Sequence, residues 1–268
     1  MKTVLLAAVS GAVLSITATG AMAGTSTDIS QFLHDAQAAL NTIQITGDDT
    51  AYTKQTAINA GDLVDLKDAS DQSLGDVWQT ALTHQIANNW ADSWSGTFTN
   101  LTQEATNVAN SIADVSYAVA IDQSAYGFQK ASNEIGEGDS FYFLWDTNAL
   151  NAAQTATNVS NIASITTLDD YSTQTSDTWQ SANNMATYFA PTVPFEGGLA
   201  GLTQSATNAT NILSIDYLPS ASSPFLPEIR QSATGPQLAT NLVNVPYIAG
   251  TLTQAATNVA NSITGITQ

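Results

Sequence analysis

The residues of this chain best placed to do chemistry are carboxamides. Gln103, Gln154, Gln204 and Gln254 stand 51, 50 and 50 residues apart, each inside a near-copy of one segment. Leu101 to Ile112 reads LTQEATNVANSI, and Leu252 to Ile263 reads LTQAATNVANSI. A primary amide offers donors on one side and an acceptor on the other. Identical amides stacked at a fixed spacing therefore bond to one another as a continuous ladder. This chemistry is turned inward and calls for no ligand.

The residue types of conventional sites form no comparable pattern. Asp62, Asp65, Asp68 and Asp71 recur at three-residue spacing and could suggest calcium, but the D-x-D-x-D-G loop is absent, so they read as a solvated acidic face. Asp48-Asp49 and Asp169-Asp170 read as turn residues, and His34 and His84 have no metal or triad pattern beside them. With no Cys, no G-x-S-x-G and no paired acids in a recognisable frame, neither enzyme activity nor a cofactor is expected. Trp90, Trp94, Trp145 and Trp179 could stack on sugars or equally fill an interior.

The elements that position the amides follow from a weaker beat between the strong copies. A Q-x-A unit recurs at Gln55, Gln79, Gln103, Gln129, Gln154, Gln180, Gln204, Gln231 and Gln254, about 25 residues apart. Most units add an asparagine four residues on: Asn107, Asn133, Asn158, Asn184, Asn208 and Asn258. These fifteen residues are the expected structural ladder. Gln37, Gln85 and Gln237 fall outside the beat. Such regularity predicts a solenoid or array.

Read as a helix, Leu101, Ala105, Val108 and Ile112 share one face, so a helical repeat array is the alternative. The Thr, Asn, Val and Ser of the motif are mediocre helix formers, and strands are preferred. The expected fold is all-β: a β-solenoid of about nine coils of 25 residues, or a double repeat of 50 made of two unequal turns. Coils stacked about 4.8 Å apart would bring like residues into line. Ala two positions after each Gln keeps the interior thin.

The ends read differently. Residues 1–23 have the form of a secretory signal peptide, with Lys2, an apolar stretch from Val4 to Ile16 and Ala21-Met22-Ala23 before Gly24. Residues 24–50 form a separate segment, in which Ile29, Phe32, Leu33, Ala36, Leu40 and Ile43 at spacings of three and four predict a capping helix. Residues 51–268 make up the array, with a proline-rich loop expected over 216–236.

Composition narrows the partners. The formal net charge is −18, with 5 basic residues against 23 acidic ones, so nucleic acid and anionic lipid are excluded as electrostatic partners. Outside the leader no run is long and apolar enough for a membrane span. Without cysteine the fold must be held by backbone pairing and packing.

Q-x-A-x-N every 25 residues, in an exported cysteine-free chain, resembles the curlin repeat of bacterial curli fibre subunits, roughly Q-x-G-x-x-N-x-A. Here Ala stands for Gly, and Asn falls at +4 or +7 rather than +5. The resemblance implies Gln and Asn ladders lining a β-solenoid whose subunits add end to end into extracellular functional amyloid. The expectation is a secreted cell-surface structural protein, fibre-forming or adhesive, with a role in biofilm or attachment. It would self-associate and meet other surface or matrix components. The alternative is an extracellular module that binds carbohydrate or ice through a repeated face. Identity of outward Thr residues over many coils would favour that alternative, whereas only Gln and Ala persist through all nine units.

Overall fold

The computed structural model describes residues 7–9, 27–46, 52–65, 73–136, 147–187, 199–217, 227–245, 248 and 250–265. These residues form strands and no helix: β1 (Ala7–Val9), β2 (Thr27–Thr46), β3 (Thr53–Asp65), β4 (Ser73–Ile135), β5 (Thr147–Thr187), β6 (Leu199–Tyr217), β7 (Glu228–Ala233), β8 (Gln237–Asn244) and β9 (Leu252–Thr264). Apart from β1, every pairing between them is parallel, with shifts of register in the β2–β4 and β4–β5 pairings only at Thr27/Ile29, Ile45/Thr46, Ile112/Val115 and Ala118/Ala120, so the chain winds as a solenoid.

The registers set the length of a turn. Gln55 lies beside Gln103, Gln103 beside Gln154, Gln154 beside Gln204 and Gln204 beside Gln254. The side-chain bonds along this line span 48, 51, 50 and 50 residues. A full coil is therefore about 50 residues, and neighbouring 25-residue units are the two sides of one coil. The expectation of nine coils is corrected to five among the described residues. In order they are β2 with β3, 74–113, 115–163, 165–215, and β7 to β9. Each coil has a first face, such as 79–91 in coil 2, and a second face, such as 103–112.

Period-two alternation decides what points inward. On the second face Leu101, Gln103, Ala105 and Asn107 are buried, while Thr102, Glu104 and Thr106 between them are partly exposed. The two faces are held close by small side chains, a cluster made of Ala39, Ala87, Ala131 and Ala182 from the first face and Ala57, Ala105, Ala156 and Ala206 from the second. Bulk is confined to the two arcs. One is filled by residues such as Val77, Ile112, Ile121, Ile165, Leu168 and Leu213. The other holds Phe98, Leu101, Ile135, Leu199 and Leu202. In cross-section the core is thus an amide and alanine slab plugged by aliphatic side chains at both edges.

The N-terminal segment differs from its expectation. Residues 27–46 form a strand, paired parallel with 74–95, so the predicted capping helix is replaced by the first face of coil 1. The apolar spacing that suggested a helix yields to register. Gln31, Gln37 and Asn41 fall beside Gln79, Gln85 and Asn89, and backbone ladder plus amide bonds outweigh local propensity. The consequence is visible at Phe32, left 66% exposed. Among the described residues the solenoid begins at Thr27, inside the segment expected to form a cap.

Of the leader, Ala7–Val9 pairs antiparallel with Leu40–Thr42, and the remaining leader residues lie outside the described ones. The expected proline-rich loop falls partly outside them as well, at 218–226, and Glu228–Ala233 rejoins the solenoid as β7. Glycine is required by geometry at Gly127 and Gly136, both with positive φ and a backbone carbonyl of the neighbouring coil where a Cβ would stand. Gly127 has φ 118° and a Cβ there would stand 2.2 Å from the Thr83 carbonyl oxygen of the coil below.

A slab this thin predicts an asymmetry between faces of the same strand. Ala156→Leu inserts three carbons between Ala columns that are fully buried and should lower stability by about 1–3 kcal/mol. Thr155→Ala, on the exposed side of the same strand, should change it by less than about 0.5 kcal/mol. Urea unfolding midpoints of the two variants provide the check.

Candidate functional site: the carboxamide ladders

Six columns of polar side chains run along the solenoid axis. On the first face the columns are Gln31, Gln79, Gln123, Gln174, Gln231; Gln37, Gln85, Gln129, Gln180, Gln237; and Asn41, Asn89, Asn133, Asn184, Asn241. Adjacent members of the first column bond at 2.7–2.8 Å. The second is joined at 2.7–3.0 Å and the third at 2.8–2.9 Å. On the second face Gln55, Gln103, Gln154, Gln204 and Gln254 are joined at 2.7–2.9 Å. Asn59, Asn107, Asn158, Asn208 and Asn258 are joined at 2.8–2.9 Å, and Asn110, Asn161, Asn211 and Asn261 at 2.7–2.8 Å.

In five of the six columns, all but that of Asn59 to Asn258, axial bonds leave a second N–H that crosses the slab to a backbone carbonyl of the opposite face. Gln85 donates to Val108 O at 2.9 Å, Asn89 to Glu104 O at 2.7 Å, Gln154 to Met185 O at 3.1 Å and Asn161 to Thr175 O at 2.8 Å. These carbonyls belong to outward-facing residues, whose backbone carbonyls are turned across the slab. The amides therefore satisfy each other axially and the strands laterally. That explains how Gln103, Gln129, Gln154 and Asn161 can be buried to 1% exposure or less.

All fifteen ladder residues named from sequence stand in these columns, but in five of them rather than one series. Gln79 and Gln231 belong to the first Gln column of the first face, whereas Gln129 and Gln180 belong to the second, six residues later. Sequence reasoning set aside Gln37, Gln85 and Gln237, which complete that second column. It also missed Gln31, Gln123 and Gln174. The available signal was a pair of glutamines six residues apart, at 31 and 37, 79 and 85, 123 and 129, 174 and 180, and 231 and 237.

The columns have polarity. Each Gln donates from the later coil to the Oε1 of the earlier one, as Gln154 does to Gln103. Each Asn donates the other way, as Asn107 does to Asn158. One column departs from uniformity. Asp62 lies beside Asn110 in register, where an asparagine would complete the column at coil 1. The Asp62 Oδ2 and Asn110 Oδ1 atoms are both buried without a hydrogen-bond partner, as is Asn59 Oδ1 in the neighbouring column. Burial pushes the Asp62 carboxyl up to about 6, partly offset by a hydrogen bond from the Leu33 backbone.

The remaining candidates stay apart. Asp62 is inward and Asp65 exposed, while Asp68 and Asp71 lie outside the described residues. No group of three or more His, Asp or Glu among the described residues is arranged to hold a metal ion. His34 stacks on Phe32 with ring centroids 6.4 Å apart. Trp179 is half exposed and packs on Phe128 at 4.9 Å, whereas Trp90 donates its indole N–H to Gly136 O at 3.0 Å. The side chains of Trp94 and Trp145 lie outside the described ones. Among the described residues no helix is long and apolar enough to cross a membrane. No protein family, curated protein or solved structure matches this chain.

The ladders predict a position-dependent cost. Gln154→Ala strips partners from Gln103 Oε1, Gln204 Nε2 and Met185 O inside the core, and should cost roughly 1–3 kcal/mol. Gln254→Ala breaks one axial bond in a coil that is exposed, so its cost should stay below about 1 kcal/mol. Denaturant midpoints of both variants beside wild type test this; equal midpoints would mean that the ladder carries no stability.

Proposed function

We propose that this is an exported cell-surface structural protein that stacks end to end into fibres, as the curlin-like repeat implies, with a role in attachment or biofilm. The observation that carries the reading is the state of coil 5. Gln204, Ala206 and Asn208 are fully buried in coil 4, while the matching Gln254, Ala256 and Asn258 in coil 5 are exposed. Among the described residues nothing pairs with the outer edge of β9. An exposed parallel edge with ladder amides in place is a template for another strand of the same kind. A second copy supplies that strand in the register the ladders already use.

Export fits the same reading. Ala7–Val9 pairs with Leu40–Thr42, on the side of β2 opposite to coil 2, which is the edge an incoming copy would need. Cleavage after Ala23 removes that segment. The secreted form should begin at Gly24, and a chain that keeps residues 1–23 should elongate fibres more slowly.

The direct test is elongation of seeds by the chain that begins at Gly24, followed by electron microscopy and fibre diffraction. Filaments with a meridional repeat of about 4.7–4.8 Å are expected. Ala256→Lys puts a charge into the joint at a position exposed in the free chain, so it should slow elongation by about tenfold or more while leaving the unfolding midpoint unchanged. A chain that stays monomeric at every concentration, or fibres indifferent to Ala256→Lys, would sink the proposal.

A second reading, binding of carbohydrate or ice through a repeated face, is favoured by one feature. Thr106, Thr157, Thr207 and Thr257 stand in register on the outward side of the second face, in four of the five coils. Regularly spaced hydroxyls can engage sugar hydroxyls or ordered water. Thr157→Val with Thr207→Val removes two hydroxyls at nearly constant shape. Retention on insoluble polysaccharide, or inhibition of ice recrystallisation, should be lost in this double variant if the face binds. Fibre elongation should be unaffected.

A further inference from the structure

We propose that the joint between successive copies is closed by Asp62 acting as a neutral carboxyl group, so that stacking takes up a proton and is switched on by acid. The inference rests on the end-to-end reading above and assigns the chemistry of its interface.

The partner is a second copy because the two ends of the solenoid are complementary atom by atom. At coil 5, Gln231, Gln237 and Gln254 use Nε2 toward the preceding coil, which leaves Oε1 on the outer side. Asn241, Asn258 and Asn261 accept from the preceding coil, which leaves Nδ2 outward. Coil 1 is the mirror of this. Gln31, Gln37 and Gln55 accept from coil 2 through Oε1, while Asn41 and Asn59 donate to it, leaving Oδ1 outward. The Asn59 Oδ1 atom has no partner among the described residues. Placing coil 5 of one copy against coil 1 of the next continues five columns, each donor meeting an acceptor.

The sixth column is where the ends do not match as they stand. Asn261 would offer an N–H to Asp62, and on the other side Asp62 faces Asn110 Oδ1, an acceptor. A carboxylate can accept from Asn261 but has nothing to give Asn110. A protonated carboxyl does both: its carbonyl oxygen accepts and its O–H donates to Asn110 Oδ1. It is then the equivalent of the amide found at this position in every later coil.

The surroundings favour the neutral form. Asp62 is 9% exposed, and burial is the leading cause of its raised pKa, opposed by the Leu33 hydrogen bond, with no neighbouring charge contributing. Of the titratable groups on the enclosing elements, His34 and Asp35 of β2 and Asp65 of β3 are exposed. Asp28 of β2 accepts from the Asp76 amide of β4, and Lys54 of β3 pairs with Glu104 of β4 at 3.0 Å. Asp122, whose pKa is also raised by burial, lies in coil 3, away from the joint.

The sign follows from linkage. A group whose pKa is raised in the buried state binds its proton more tightly there. Asp62 stands at about 6 in the free chain and higher once the joint encloses it, so the advantage of the associated form is fully present below about 6 and is lost as pH rises through the higher value of the joint. One proton per joint changes the critical concentration by at most about tenfold per pH unit.

The experiment measures critical concentration for the chain beginning at Gly24 between pH 4.5 and 8, for wild type, Asp62→Asn and Asp177→Asn. Asp177 is exposed on coil 4, so Asp177→Asn removes the same charge without touching the joint. Wild type and Asp177→Asn should stack about an order of magnitude more readily at pH 5 than at pH 7.5. Asp62→Asn, which places the amide of the other coils in coil 1, should stack at pH 7.5 as readily as wild type does at pH 5. An Asp62→Asn profile that parallels wild type overturns the proton joint while leaving end-to-end stacking intact. Absence of stacking by all three proteins at every pH overturns both.

Discussion

The whole structure depends on how a carboxamide is satisfied when no water can reach it. A buried amide without partners costs more than most single packing contacts return, and more than twenty Gln and Asn side chains are buried in this core. Parallel in-register winding solves the problem by repetition. Each amide finds its own kind one coil away, as Gln103 finds Gln55 and Gln154 at 2.8 and 2.9 Å. What remains of its donor capacity is used on a carbonyl of the opposite face, as in Gln103 to Glu134 O at 3.0 Å. The strands cannot slip by one residue without turning every amide outward, so the ladders also fix the register.

That crosswise bond limits how far apart the faces can be, and the limit accounts for the alanines. A glutamine reaching the opposite backbone needs the neighbouring inward positions to be small, and Ala87, Ala105, Ala131 and Ala156 meet in the slab with no exposure. Larger apolar residues are displaced to the arcs, where the two faces diverge and Phe98 or Leu168 can be fully enclosed. The arcs are also where length varies. Steps along the first-face Gln columns are 48, 44, 51 and 57 residues, whereas along the second face they stay between 48 and 51.

This difference explains which parts of the architecture were legible in the sequence. The second face returns at almost constant spacing, so its motif stood out as near-copies, and the strand preference of its Thr and Val, with the poor helix propensity of its Asn, pointed to strands. The first face drifts with the arcs, and its columns contain two glutamines six apart. A count at 25 residues could therefore pick Gln79 in one coil and Gln129 in the next and still look regular. The beat was real but alternated between the two faces, which halved the coil and nearly doubled the count, and on the first face it mixed two columns. The N-terminal strand was illegible for a different reason. Its apolar residues fit a helix locally, and Gln31, Gln37 and Asn41 acquire meaning only beside Gln79, Gln85 and Asn89, a relation that no local window contains.

The distribution of charge follows from the same core. An amide slab admits no unpaired ion, so nearly all of the 23 acids must lie outside it, where Glu104, Asp122 and Asp177 alternate with buried neighbours. With 5 basic residues in the chain, two solenoids side by side present like charge along their whole length and repel. The ends differ from the sides, since the column residues there are amides apart from Asp62. Charge therefore opposes lateral contact while leaving axial contact to hydrogen-bonding groups. Among the inward column positions, a single carboxyl at the end of one column is the place where protonation and stacking geometry meet.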